Sequence, residues 1–169
     1  MNNLKGLNLI EDVLNNFLED FEVTAEIGAD FCYLWDKNVI KVSLAVPDFG
    51  AKMFMEDFHK RAPEIKIDCF LISFLHELGH CETVDELTDE EEAECLRKRT
   101  ILNDAIRETT DEIKRAEMYK EYFAMTDEYL ATEWAIDYIR NNVETVAELW
   151  AKLQKAILTF YEINEVEVA

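Results

Sequence analysis

Residues 70–83, FLISFLHELGHCET, constrain this chain more than any other stretch. Read as a helix, Ile72, Leu75 and Gly79 form one stripe, and Leu71, Phe74 and Leu78 extend the apolar surface beyond it. A helix so apolar has to be enclosed, so other elements must pack around it. Into this surface the sequence sets two of its three histidines, His76 and His80, with Glu77 between them. Residues four apart share a helical face, so both imidazoles can reach one ion. Glu77 sits about 100° round the helix from His76, where it can hold a water beside such an ion without displacing it. Imidazoles left unsatisfied in apolar surroundings are costly, and a metal removes that cost. The plainer alternative is two partly buried histidines with Glu77 in solvent.

What can enclose that helix follows from composition. The chain has 169 residues, of which 49% are hydrophobic, with four glycines and two prolines. That length and balance suit a single globular domain over residues 1–169, mostly helical and with a sizeable core. The formal net charge of −20 argues against nucleic-acid or anionic-membrane binding. It leaves room for a basic protein partner or for mimicry of nucleic acid. Cys32, Cys69, Cys81 and Cys95 form no C-x-x-C pair, which points to free thiols in a reducing cytoplasm. The N-terminal stretch has no signal-peptide core, and no apolar run reaches about 18 residues.

Along the chain the hydrophobic period changes twice. Ile10, Val13, Leu14, Phe17, Leu18 and Phe21 repeat at helical spacing. From Glu22 to Gly28 apolar and polar residues alternate, and FCYLW and VIKVSLAV flank a turn at Asp36-Lys37-Asn38. A small N-terminal sheet of about three strands is therefore expected, with Ile40, Val42 and Leu44 on one face. After Pro47 the chain is helical: Asp48 can cap a helix that stops before Pro63, and the next helix starts near Ile65. Residues 83–125 form an acidic insert. Thr88 with Glu91 and Thr109 with Glu112 have capping-box spacing, so the insert reads as a helical hairpin projecting from the domain. Thr126 can cap a further helix, with Asp127 and Glu128 favourable in its first turn. The last helix repeats Val143, Val146, Trp150, Leu153, Ile157 and Phe160.

An ion held by His76 and His80 needs a third protein ligand. His59 lies upstream, and the position six residues after His80 is Glu86, with Thr83 where an H-E-x-x-H-x-x-G-x-x-H pattern wants glycine. The helix after the insert carries Glu133 and Asp137, again four apart, beside Trp134 and Ile136. Two solvated acids are the plain reading of that pair. Cys81 is a further possible ligand but points about 100° from His80.

H-E-x-x-H followed by E-x-x-x-D on a later helix resembles the gluzincin zinc metallopeptidases, of which thermolysin is the best-known. The element order over about residues 7–140 is similar to the minimal gluzincins, including the ImmA/IrrE group. This resemblance implies a zincin-like α+β domain in which His76, His80 and Glu133 bind Zn2+. Glu77 is then the general base towards water, and Asp137 orients His76 from behind. It also implies an extended peptide substrate pairing with a sheet-edge strand, for which VIKVSLAV is the candidate. A tyrosine among Tyr119, Tyr122, Tyr129 and Tyr138 would stabilise the oxyanion. Two departures stand out. The interval from His80 to Glu133 is longer than in compact relatives, and EWAID only approximates the Glu-Ala-Asn or Glu-Ala-Asp of the ImmA/IrrE group.

The expected function is thus a cytoplasmic, bacterial or phage zinc metallopeptidase acting on a protein or peptide substrate, with no nucleic-acid or membrane partner. One rival is an acidic protein-binding or nucleic-acid-mimic inhibitor with a structural or vestigial metal site. A second is a zinc hydrolase of non-peptide amides. Glu77 favours the enzyme, because a purely structural site has no use for it. The charge concentrated in the insert favours the binder.

Overall fold

The computed structural model describes residues 5–165. The protein is mostly helical α+β, with seven α-helices and one small mixed sheet among the described residues. It forms two compact units. Among the described residues, one comprises 5–44 together with 138–165; the other is Ala45–Asp137.

The first unit opens with helix α1 (Leu7–Phe17), whose inward face buries Ile10 and Leu14 completely. Strands β1 (Thr24–Gly28), β2 (Cys32–Leu34) and β3 (Val39–Ser43) follow. The β2–β3 hairpin turns through Asn38, which adopts φ 50° and accepts a hydrogen bond on Oδ1 from the Tyr33 hydroxyl. Asparagine tolerates that left-handed backbone because its short polar side chain bonds locally. The sheet order is β1-β3-β2, with β1 parallel and β2 antiparallel to β3. Helix α7 (Val143–Glu165) packs on α1 and buries Val146, Leu149, Leu153, Ala156 and Phe160. The expected face through Val143 is displaced: Val143 is exposed, and Leu149 and Ala156 point inward instead.

This topology overturns one expectation. The strand within VIKVSLAV is the central strand, not an edge, and from Val39 to Lys41 it is paired on both sides. The outer side of β1 is also taken. Asn15 of α1 both donates to the Ala25 carbonyl and accepts from the Ala25 N–H, at 2.9 and 2.8 Å, and Glu11 accepts from the Ile27 N–H at 2.8 Å. Side chains here substitute for a neighbouring strand, which removes an edge that could otherwise pair with another chain.

The second unit is entirely helical: α2 (Phe49–Arg61), α3 (Cys69–Thr83), α4 (Asp89–Glu108), α5 (Glu112–Phe123) and most of α6 (Thr126–Asn141). Asp48 caps α2 as expected, and Thr88 and Glu91 form a full capping box on α4. Other boundaries shift. α3 begins at Cys69, capped by Asp68 rather than starting near Ile65, and α5 is capped by Asp111 rather than Thr109. The hairpin of α4 and α5 does not project. Tyr119 and Phe123 of α5 lie against Phe49 and Phe54 of α2, with ring centroids 5.9 and 5.7 Å apart. Leu71, Ile72, Phe74, Leu75 and Leu78 of α3 are fully buried, each worth about 1.5–3 kcal/mol.

Gly79 sets how closely α3 meets α6. A Cβ there would lie 2.4 Å from the Ala131 carbonyl oxygen, a backbone atom that cannot swing aside. At an exposed helical position, glycine to alanine stabilises by about 1 kcal/mol. Here the sign is expected to reverse: Gly79→Ala loses about 1–3 kcal/mol in urea unfolding, because the two helices are forced apart. A variant as stable as the parent would show that the helices do not meet at this point.

Candidate metal centre

The contact at Gly79 brings one face of α3 against one face of α6. From α3 come His76 and His80, four residues apart, and from α6 Glu128 and Thr132, also four apart. His76 Nε2 lies 3.2 Å and His80 Nε2 3.6 Å from Glu128 Oε2. His76 and Glu128 are buried, at 5% and 4% exposure, and the His80 side chain retains 15%. Ligand atoms from all three residues lie within 4.8 Å of one another, so this group could hold a metal ion. In a tetrahedral site with bonds of about 2.0–2.1 Å, neighbouring ligand atoms are separated by about 3.3–3.4 Å. The two observed separations from Glu128 fall on either side of that value.

Hydrogen bonding orients His76 for this task. The Thr132 hydroxyl donates to the Glu128 carbonyl at 2.8 Å, so towards His76 it is an acceptor, 3.1 Å from Nδ1. Nδ1 therefore carries the proton, and the Nε2 lone pair faces the Glu128 carboxylate. Two electron-rich atoms at 3.2 Å require a cation between them, either a proton or a metal ion.

The charges also point to a cation. Arg99 of α4 donates from Nη2 to Glu128 Oε1 at 3.0 Å and pairs with Asp127 through the same nitrogen. Asp127 in turn accepts from the Glu128 N–H. Glu77 is half-buried, and its charge acts on His80 and on Tyr122. Two buried acids, Asp127 and Glu128, thus share one guanidinium, which leaves one negative charge for a cation to balance.

Without metal, the groups shift in opposite directions. Burial alone would depress His80, but the Glu128 carboxylate outweighs it and raises the imidazole above its ordinary 6.5. Burial alone would raise Glu128, but His80 and His76 hold it well below 4.5. Tyr122 is pushed up, by burial and then by Glu128 and Glu77, so its phenol stays protonated.

The expected ligand Glu133 does not join the histidines. Its side chain is 41% exposed and lies 3.6 Å from Arg61, which also holds Asp57. Asp137 is exposed, and Thr132 rather than Asp137 backs His76. The pattern of a ligand followed four residues later by a group that orients the first histidine is present, but it begins at Glu128. Cys81 and His59 stand outside the group. Glu128 was readable as a favourable first-turn acid, which hid it as a ligand. The available signal was the small-residue face of α6: Ala131, Thr132 and Ala135 mark the buried stripe, and Glu128 lies on it. Glu133 and Asp137 lie about 140–180° round the helix from Glu128.

Comparison of the chain with protein-family models, curated proteins and solved structures finds no match.

Two outcomes are expected. Glu128→Gln removes stoichiometric metal, measured by mass spectrometry of the native protein, whereas Glu133→Gln retains it; the reverse pattern would transfer the third ligand to Glu133. In metal-free protein, the lowered Glu128 contributes stability that is present above pH 4.5 and lost as pH falls through its depressed value. The raised His80 contributes stability that is present below pH 6.5 and lost as pH rises through its elevated value. Metal-free protein is therefore most stable between about pH 4.5 and 6.5, while stabilisation by added metal grows as pH rises and the imidazole is freed. Denaturant titrations across pH, with and without metal, check both trends.

Proposed function

We propose that this chain is a zinc-dependent hydrolase of peptide bonds in protein or peptide substrates, similar in its chemistry to the gluzincins. The observation that carries this reading is the convergence of His76, His80 and Glu128 with the Glu77 carboxylate close enough to act on His80. Two imidazoles and one carboxylate suit zinc with a fourth position left open. Bound there, zinc would acidify a water and polarise a carbonyl.

The chain's own groups supply the rest. Glu77 is the general base, taking a proton from the attacking water and delivering it to the leaving amine. Tyr122 is the candidate oxyanion donor: both Glu128 and Glu77 act on its phenol, and burial keeps it protonated. Thr132 fixes the His76 ring so that Nε2 faces Glu128.

A structural metal site in an acidic binding protein is the second reading. The near-complete burial of His76 and Glu128 favours it, since substrate must reach a catalytic ion. Glu77→Gln separates the two. Under the enzymatic reading it keeps zinc content and fold but slows cleavage of an unstructured protein substrate by about 10²–10⁴-fold. Tyr122→Phe retains zinc and slows cleavage by about 10²–10³-fold. Wild-type protein that holds zinc but cleaves no unstructured or peptide substrate would leave the structural reading standing and end the enzymatic one.

A further inference from the structure

Arg99 lies on α4, within the acidic segment that separates the two halves of the site in sequence. Arginine–carboxylate pairs are frequently bidentate, with two parallel bonds. Arg99 does otherwise. Its Nη2 alone spans Asp127 and Glu128 Oε1, and its buried Nε has no acceptor. The Tyr122 ring lies 5.9 Å from the guanidinium carbon. The result is a division of labour on one carboxylate: Oε1 is held by Arg99, and Oε2 faces both histidines.

We infer that Arg99 is a positioning residue of the metal centre, which restricts Glu128 to a single donor oxygen and thereby keeps a coordination position open. The inference rests on the metal-binding reading above. A carboxylate freed from Arg99 could rotate and offer both oxygens, raising the coordination number and closing the position that water needs. The guanidinium charge also draws electron density from the carboxylate, making it a weaker donor. Thr132 acts in the same sense on His76: a neutral hydroxyl behind Nδ1 makes the imidazole less basic than a carboxylate there would. An ion in this pocket would be more electrophilic for both reasons. On this inference the α4–α5 hairpin is part of the site's support, with Arg99 from one arm and Tyr122 from the other.

Cobalt(II) is the probe, because its visible absorption is intense in four-coordinate sites and weaker when coordination expands. Wild type, Arg99→Lys and the charge-balanced double variant R99M/D127N are loaded with cobalt, and affinity is measured by chelator competition. Wild type is expected to show the intense band. Arg99→Lys, which keeps a cationic nitrogen to bridge the two acids, retains it. R99M/D127N shows the weaker band of higher coordination and binds cobalt no less tightly than wild type, because the freed carboxylate is the stronger donor. Circular dichroism confirms folding. Should the double variant not fold, Arg99→Met alone likewise leaves Glu128 Oε1 without its Arg99 donor, and the same loss of the intense band is expected. An unchanged spectrum in the folded variant lacking Arg99 would overturn the role of Arg99 while leaving the metal site intact. Failure of wild type to bind cobalt or zinc would sink both readings.

Discussion

The close approach of α3 to α6 at Gly79 is the contact on which the candidate site depends. With no side chain at Gly79, the Ala131 backbone sits where a Cβ would be. That brings the turns on either side of the contact within side-chain reach. His76 and His80 flank Gly79 on one helix, and Glu128 and Thr132 flank Ala131 on the other. Each helix offers two groups on one face, and the facing pairs interlock: the imidazoles meet the carboxylate, and the hydroxyl meets the back of His76.

Once that contact is made, electrostatics governs what the pocket can hold. Glu128 and Asp127 are buried acids, and a buried carboxylate persists only with compensation. Arg99 compensates in part. The remaining negative charge favours a cation, and a donor set of two imidazoles and one carboxylate would suit a transition-metal ion better than calcium or magnesium, which prefer oxygen. The acidic segment between the two halves of the site therefore has a structural purpose. Its helices pack on α2 through Tyr119 and Phe123 and bring Arg99 and Tyr122 to the centre.

Neither β3 nor the outer side of β1 is free to serve as a docking edge. β3 lies in the middle, and Asn15 and Glu11 occupy the outer side of β1. The alternation read from VIKVS was accurate about strand type, but an alternating pattern reports which residues face the core. It carries no information on which neighbour lies to either side. Strand order depends on long-range pairing, and the parallel pairing of β1 with β3 leaves β2 between them in sequence.

Local periodicity was legible wherever a single helix or strand decides the outcome. The mostly helical α+β class, the β2–β3 hairpin, the caps at Asp48 and Thr88 and the shared face of His76 and His80 all follow from spacings of two to four residues. Glu133 as third ligand did not follow, although it sits in the same helix as Glu128. Both acids have plausible spacing to a second polar group, so the choice depends on how α6 is rotated about its own axis. That rotation is set by which residues allow the backbone of α3 to come near, namely Ala131 opposite Gly79. The sequence by itself determined the helices and the histidine pair, because those arise from contacts within one turn. Only the tertiary structure decided that Glu128, Thr132 and Arg99 gather beside the histidine pair, because their placement is fixed by the packing of separate helices.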